Sequence, residues 1–370
     1  MCDLGFEDSQ PSPINMRTQA AVLIGGTVAT AAVAVMCRRR SSGKAASTAA
    51  GLETLERVVK LSPMVLRILG HNPGSFSLQG TNMYVVGKGA SRILIDAGEG
   101  KKEDLPTLLN ALRDDGAERL SDVLITHYHH DHTEGIKELR AHYGSELRVR
   151  KMPWAPGVLE PWTKIQHGPS FSMAKLGVET LDDGEVIRTE NGDATLRVVA
   201  TPGHTIDHCC FVLREEGCDH VFSGDHVLGG SSGVFEDLHA YMRSLDRVLT
   251  ELPKGRGGRI YPGHGPMIAD GHSGVVAYLE NRRTRERQVV TALEQGGQWG
   301  LTPFGLVKRI YPKLSLTLTM AAASNVDKTL RKLQVDGKVQ TWGLSPISLS
   351  LFGFALDRAL LRKWALVKPA

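Results

Sequence analysis

From about Val58 the chain alternates short runs of β-branched and aliphatic residues with stretches whose apolar positions recur three and four apart. Met83–Val86 and Arg92–Asp96 are two β-rich runs separated by Gly87–Gly89, which predicts a hairpin. Leu105–Arg113 has helical spacing, and Asp122–Thr126 reads as a short buried strand followed by a helix through Gly135–His142. Further strands are expected at Glu185–Ile187, Thr195–Ala200, Cys209–Leu213, Val221–Ser223 and Gly258–Ile260. Helices are expected at Phe235–Leu249 and Gly274–Leu293. Strands mixed with helices over this span predict one large α/β body, residues 51–295. The pattern then changes. Pro303–Ile310 and Leu316–Gln334 read as helices, and Asp336-Gly337-Lys338 turns into a strand at Val339–Trp342. Two helices and a small β wing outline a winged-helix-like module over 300–342, an outline that other small α+β modules share.

The two ends do not follow these periods. Thr18–Cys37 is twenty residues without a charge, rich in Ala, Val, Gly and Thr. That length just suffices to span a bilayer. Arg17 precedes it and Arg38, Arg39 and Arg40 follow. A secretory signal carries its positive charge before the apolar run, so secretion is not expected. The basic flank after the run favours a cytosolic C-terminal side. Weak hydrophobicity with such a flank resembles the signal anchors of the mitochondrial outer membrane. Residues 1–50 are therefore expected to be a leader with a membrane anchor at 18–37 and a Ser/Ala/Gly-rich linker from 41 to 51. A cleaved organelle-targeting leader is the rival reading, although Asp3, Glu7 and Asp8 speak against a matrix presequence. The tail, 343–370, has no assigned role. Its apolar Leu360–Val367 suits an amphipathic helix on a membrane or against the body.

Composition narrows the class without choosing a function. Hydrophobic residues at 41% and charged residues at 23% exclude a disordered or collagen-like chain. Five scattered cysteines make no disulfide framework and no cysteine zinc site. The net charge of +4 conceals a division: +2 over residues 1–50, −6 over 51–300 and +8 over 301–370. The 301–342 segment carries seven Lys/Arg against Asp327 and Asp336. A basic unit beside a hydrolytic site would gather polyanions, while ordinary surface lysines on a packing module are the plainer alternative.

The chemistry concentrates in Thr126-His127-Tyr128-His129-His130-Asp131-His132, directly after a predicted buried strand. Imidazole suits zinc and its neighbours, and carboxylate completes a hydrolytic donor set. The same placement recurs at Thr201-Pro202-Gly203-His204, at Ser223-Gly224-Asp225 and at Tyr261-Pro262-Gly263-His264. Each puts one ligand-capable residue at a strand end, where a rigid sheet can hold it.

This ordered set, HxHxDH then a lone His, a lone Asp and a final His, resembles the metallo-β-lactamase superfamily. Gly70-His71-Asn72-Pro73-Gly74, Leu78-Gln79-Gly80-Thr81-Asn82, Ile93–Gly98, Val234–Leu238 and Tyr241…Ser244-Leu245 look like its branch of mitochondrial endoribonucleases, related to the glyoxalase II group. The resemblance runs from about residue 58 to 342. It implies an αββα sandwich with a C-terminal winged helix and two divalent metals, zinc or manganese, bridged by a hydroxide. His127, His129 and His204 would hold one metal and Asp131, His132 and His264 the other, with Asp225 between them. Asp131 would also orient the water. Single-stranded RNA is the implied substrate. A small thioester, of the hydroxyacylglutathione or acyl-carrier-protein type, is the alternative on the same ligands. Asn82 and His208 are expected substrate contacts, Asp96 either a support for a ligand or a turn cap. Trp154 and Trp162 are expected either to stack bases or to pin a Pro-rich loop. His130 and His226 read as variable positions.

Overall fold

The computed structural model describes residues 52–154, 176–215, 217–255, 257–296, 300–342 and 362–367. The expected leader and anchor, the linker and Trp162 lie outside them. Among the described residues no helix is long and apolar enough to cross a membrane.

Two sheets stack face to face. The first has seven strands in chain order: β1 (Val58–Ser62), β2 (Val65–Leu69), β3 (Asn82–Val86), β4 (Ser91–Ile95), β5 (Arg119–Ile125), β6 (Arg148–Lys151) and β7 (Glu179–Thr180). Strands β1 to β4 form an antiparallel meander, and β4 to β7 run parallel. The second comprises β8 (Val186–Arg188), β9 (Thr195–Ala200), β10 (Cys209–Glu215), β11 (Cys218–Gly224) and β12 (Ile260–Pro262), ordered β12-β11-β10-β9-β8. Only β11 and β12 pair in parallel there.

Alternation along the strands fills three layers of core. Tyr84, Val86, Ile93, Ile95 and Leu124 point between the sheets, where they meet Leu196, Val198, Phe211, Phe222 and Tyr261. Their neighbours Met83, Val85, Leu94, Val123 and Ile125 point outward, under α1 (Asp104–Asp114) and α3 (Ile136–Tyr143). On the far side Val199, Cys210, Val212, Val221 and Ile260 face α4 (Leu238–Glu251) and α5 (Gly271–Glu294). The result is an αββα sandwich. Both faces of β3 and β4 are covered, so Met83–Val86 and Ile93–Ile95 within them read in the sequence as unbroken apolar runs.

The C-terminal module holds α6 (Pro303–Ile310), α7 (Leu316–Val335), β13 (Val339–Trp342) and β14 (Lys363–Leu366). The expected boundary at 295 is softened: α5 is one continuous helix whose first half packs on the second sheet. Its Val289, Ala292 and Leu293 belong instead to the module's core. The tail expectation is corrected too. Lys363–Leu366 is a strand, not a helix, antiparallel to β13 and bonded to Leu301 through Trp364. Trp364 is fully buried in the module's core. An exposed edge on β13 and a large apolar side chain are both satisfied by that pairing.

Candidate metal centre

Strand direction brings the scattered motifs together. β4 and β5 are parallel, so their ends carry Asp96 and His127–His129 to one edge of the first sheet. β9, β11 and β12 run the same way, so their ends carry His204, Asp225 and His264 to one edge of the second. The two edges are joined there: Cys209 N–H donates to Thr126 O at 2.9 Å and Asn82 N–H to Gly263 O at 2.8 Å. A short helix, α2 (His130–Thr133), turns Asp131 and His132 toward the same place.

All seven expected donors meet there. His127, His129, His204 and Asp225 form one group, and Asp131, His132 and His264 form another, each with donor atoms within 4.8 Å of one another. Asp225 touches both. Its Oδ2 lies 3.8 Å from His204 Nε2, and its Oδ1 lies 3.5 Å from His132 Nε2 and 3.4 Å from His264 Nε2. Asp131 Oδ2 stands 3.1 Å from His264 Nε2. The side chains of Asp131 and Asp225 remain 14% and 12% exposed, so the centre opens to solvent through its carboxylates.

The backs of the rings explain why they point as they do. His132 Nδ1 donates to Asp96 Oδ2 at 2.8 Å, His204 Nδ1 to Val234 O at 2.8 Å and His264 Nδ1 to Gly80 O at 3.2 Å. His127 Nδ1 meets Thr126 Oγ1 at 3.0 Å, and that hydroxyl in turn donates to Asp96. Each contact leaves the Nε2 lone pair facing the centre, the arrangement in which an outer acceptor sets the tautomer of a ligand histidine. His127 Nε2, His129 Nδ1 and His204 Nε2 are 2.9 and 3.1 Å apart along the chain of contacts. A tetrahedral zinc would place such nitrogens about 3.4 Å apart. Among the described residues, His132 Nε2 and Asp225 Oδ1 are buried with no hydrogen-bond partner. Converging lone pairs and buried orphan acceptors are the donor chemistry that a divalent cation satisfies.

The electrostatics agree. Burial, with the neighbouring imidazoles, holds His127 well below its ordinary pKa. Burial likewise lowers His129 and His204, so these three stay neutral. Burial would lower His132 as well, but Asp131, Asp96 and Asp225 raise it to about 9. His264 rises well above its usual range for the same reason, with Asp225 and Asp131 outweighing burial. Burial would raise both carboxylates, yet the two imidazoles hold them below the usual range. The carboxylates thus draw positive charge into the second group, and a bound cation would supply it in place of protons.

Asp96 is resolved in favour of support. It is 2% exposed and adopts φ +60, a left-handed conformation rare outside Gly, Asn and Asp. Its Oδ1 accepts Thr126 N–H at 2.8 Å, so one carboxylate braces both His127 and His132. Asn82 and His208 are corrected as substrate contacts. Asn82 is fully buried, its amide donating to Pro262 O and Gly265 O, so it clamps the His264 loop. His208 is buried behind His127 and His204, with Nδ1 at 2.8 Å from Thr201 Oγ1. His130 is exposed, whereas His226 is buried against Tyr241.

Several supports were missed. Thr81 Oγ1 donates to Asp131 Oδ2 at 3.1 Å, and Asn72 holds Thr81 through both its amide atoms. Gly263 leaves room for the centre, since a Cβ there would sit 2.5 Å from Asp225 Oδ1. Lys151 pairs with Asp207 in the His204 loop, both buried, and lies beneath Trp154 at 4.7 Å. Trp154 packs 5.0 Å from Tyr128, itself 4.9 Å from His129. The only signals for Asn72 and Thr81 were the Gly-His-Asn-Pro-Gly and Gly-Thr-Asn motifs.

The basic module looks different once folded. Lys332 pairs with Glu286 and Asp336, Arg331 with Asp327, and Lys338 lies near Asp336. Lys328 points inward to Phe235 O. Much of the positive charge on α7 is therefore engaged within the chain.

The model of the metallo-β-lactamase superfamily matches residues 77–264, and that of the β-lactamase-associated winged helix domain matches 302–343. The chain is 36% identical to a β-lactamase-like protein 2 homolog of Caenorhabditis elegans, over 78% of this chain and 90% of that one. It is also 36% identical to an atrochrysone carboxyl ACP thioesterase of Claviceps purpurea, over 78% of this chain and 86% of that one. Among solved structures, a β-lactamase domain protein of Burkholderia ambifaria superposes with TM-score 0.60 at 19% identity, over 84% of this chain and 93% of that one.

Proposed function

This chain belongs to the metallo-β-lactamase superfamily, and from that premise we propose that it is a two-metal hydrolase cleaving single-stranded RNA internally. The observation that carries hydrolysis is the pair of donor groups joined by Asp225. His127, His129 and His204 would hold one divalent cation, Asp131, His132 and His264 the other, zinc or manganese in both cases. When bound, such ions supply Lewis acidity and an acidified water near neutral pH. The remaining work falls to the chain. Thr81 occupies Oδ2 of Asp131, which leaves Oδ1 to orient the attacking water. Asp225, charged at neutral pH, keeps the two groups in register. Buried rings behind the donors exclude solvent from all sides but the mouth.

RNA is supported by the motif resemblance at Gly70–Gly74 and Leu78–Asn82 and by Trp154, half-buried against the buried Tyr128 beside His129. The exposed part of that indole would offer an unpaired base a stacking partner worth about 1–3 kcal/mol. That Lys328 and Lys332 of α7 are engaged within the chain supports a reading in which the RNA would lie in the cleft rather than on the C-terminal module. The second reading is a thioesterase, favoured by the similarity to the Claviceps purpurea protein. The same activated water would attack a carbonyl carbon. The full chain with zinc or manganese, offered single-stranded RNA and an acyl thioester side by side, tests the choice. Thioester turnover without RNA cleavage would sink the RNA reading. Asp131→Ala and His264→Ala should abolish either activity and lower metal content; persistence of cleavage would point to a contaminant. As part of the proposal the protein resides in mitochondria, anchored through 18–37. Its release by carbonate extraction would count against the anchor.

A further inference from the structure

One loop receives cations from two other parts of the chain. Residues 233–237 lie between Asp225 and α4, and Val234 O is the acceptor that orients His204 Nδ1. The next carbonyl, Phe235 O, accepts from Lys328 Nζ at 2.6 Å, reaching across from α7 of the C-terminal module. The Lys328 ammonium also lies 5.6 Å from the Phe235 ring centre. The preceding carbonyl, Gly233 O, accepts from Arg282 on α5, whose guanidinium covers Phe235 at 4.8 Å and Tyr241 at 5.3 Å. Glu236 N–H returns to Gly203 O at 2.7 Å, closing the loop onto the His204 turn. The Glu236 carboxylate accepts from Tyr128 O–H at 2.9 Å.

We propose that Lys328 is a positioning residue for His204, so that the C-terminal module helps to build the metal centre from behind. Adjacent peptide carbonyls cannot rotate independently within a closed loop. The conformation that presents Phe235 O to Lys328 is therefore the one that presents Val234 O to His204. A largely buried ammonium strongly disfavours losing its acceptor, because an unpaired buried charge is costly. Burial holds this ammonium down at about 8, in keeping with its withdrawal from water. The module thus has a use other than reading nucleic acid. The inference rests on the reading that His127, His129 and His204 hold a metal, and is independent of the substrate.

The test measures zinc affinity of the full chain by competition with a chromogenic chelator, alongside thermal stability. Lys328→Met keeps the apolar stem and removes the donor. It should weaken the tightest zinc binding about tenfold, the lower end for outer partners of a ligand histidine. Lys328→Arg, which keeps a charged donor, should restore most of it. Lys332→Met is the control: it breaks the pair with Glu286 on α5 and the pair with Asp336 at the end of α7 itself, without touching the loop. It should lower stability and leave zinc affinity unchanged. If Lys328→Met does not fold, Lys328→Gln takes its place, with the same expectation. Equal affinity in the Lys328 variant and wild type would overturn the inference, as would an equal loss in Lys332→Met. A wild-type chain that takes up no zinc would overturn the reading beneath it, and this inference with it.

Discussion

Asp96→Asn separates the metal centre from the fold. Asp96 accepts three donors: Thr126 N–H at 2.8 Å, Thr126 O–H at 3.0 Å and His132 Nδ1–H at 2.8 Å. Asparagine tolerates the φ of +60 at this position, so the backbone strain is nearly unchanged. What changes is one acceptor. If the new amide keeps its oxygen on Thr126 N–H, its NH₂ faces His132 Nδ1. That ring must then accept on Nδ1 and carry its proton on Nε2, the atom that faces Asp131 and Asp225. The lone pair needed by a cation is gone. If the amide turns round, two donors confront each other at Thr126. Loss of an outer partner of a ligand histidine lowers metal affinity about 10–100-fold, or about 1.4–2.7 kcal/mol. Asp96→Ala, by contrast, strands several buried donors at about 1–3 kcal/mol each and should destabilise the whole chain. The assay is zinc titration against a chelator together with a melting curve. Asn should lose affinity with little change in melting temperature, and Ala should lose both. Wild-type affinity in Asp96→Asn would refute the tautomer argument.

Other consequences are as direct. Gly263→Ala puts a methyl 2.5 Å from Asp225 Oδ1 and 3.0 Å from His132 Cε1, so metal content and hydrolysis should both fall more than tenfold, read by metal analysis and turnover. Trp364→Ala removes a fully buried ring from the C-terminal core and should cost about 3–5 kcal/mol in urea unfolding; a value near zero would deny β14 its place in the module. The metal-stripped chain should be most stable around the ordinary histidine pKa. His132 and His264 have raised values, so their contribution is full below about pH 6.5 and fades as the pH rises through them. His127, His129, His204 and His208 have lowered values, so theirs is full above about 6.5 and fades as the pH falls. Melting temperatures across the range check this, and a monotonic profile would contradict it.

The seven donors were legible in the chain because each stands within a few residues of the end of a β-rich run, in a short loop or, for Asp131 and His132, on the one-turn helix α2 that follows it. Residue type and strand-end position are local properties. The helices were legible for the same reason, Pro303–Ile310 to the residue. The first two strands, β1 and β2, went unread because pairing partners such as Val58 and Ile68 are matched by register, which apolar spacing alone does not encode. Asn82 reads as a cleft residue in its motif, yet its amide is consumed by carbonyls about 180 positions away in sequence.

What the sequence determined by itself was therefore the inventory: an α/β body, a small basic module and seven ligand-capable side chains in a fixed order. The tertiary structure decided which of them meet and what holds them. Parallel strand ends bring four loops to one point, Asp96 sets two rings through Thr126 and His132, and Lys363–Leu366 returns to close the wing. It also turned part of the +8 inward. Lys328 and Lys332 look like solvent-facing charges when counted along the chain, but α7 packs against the body on the side that carries them. Charge is a property of the residue; its direction depends on which helix face is buried, and that is set only by packing.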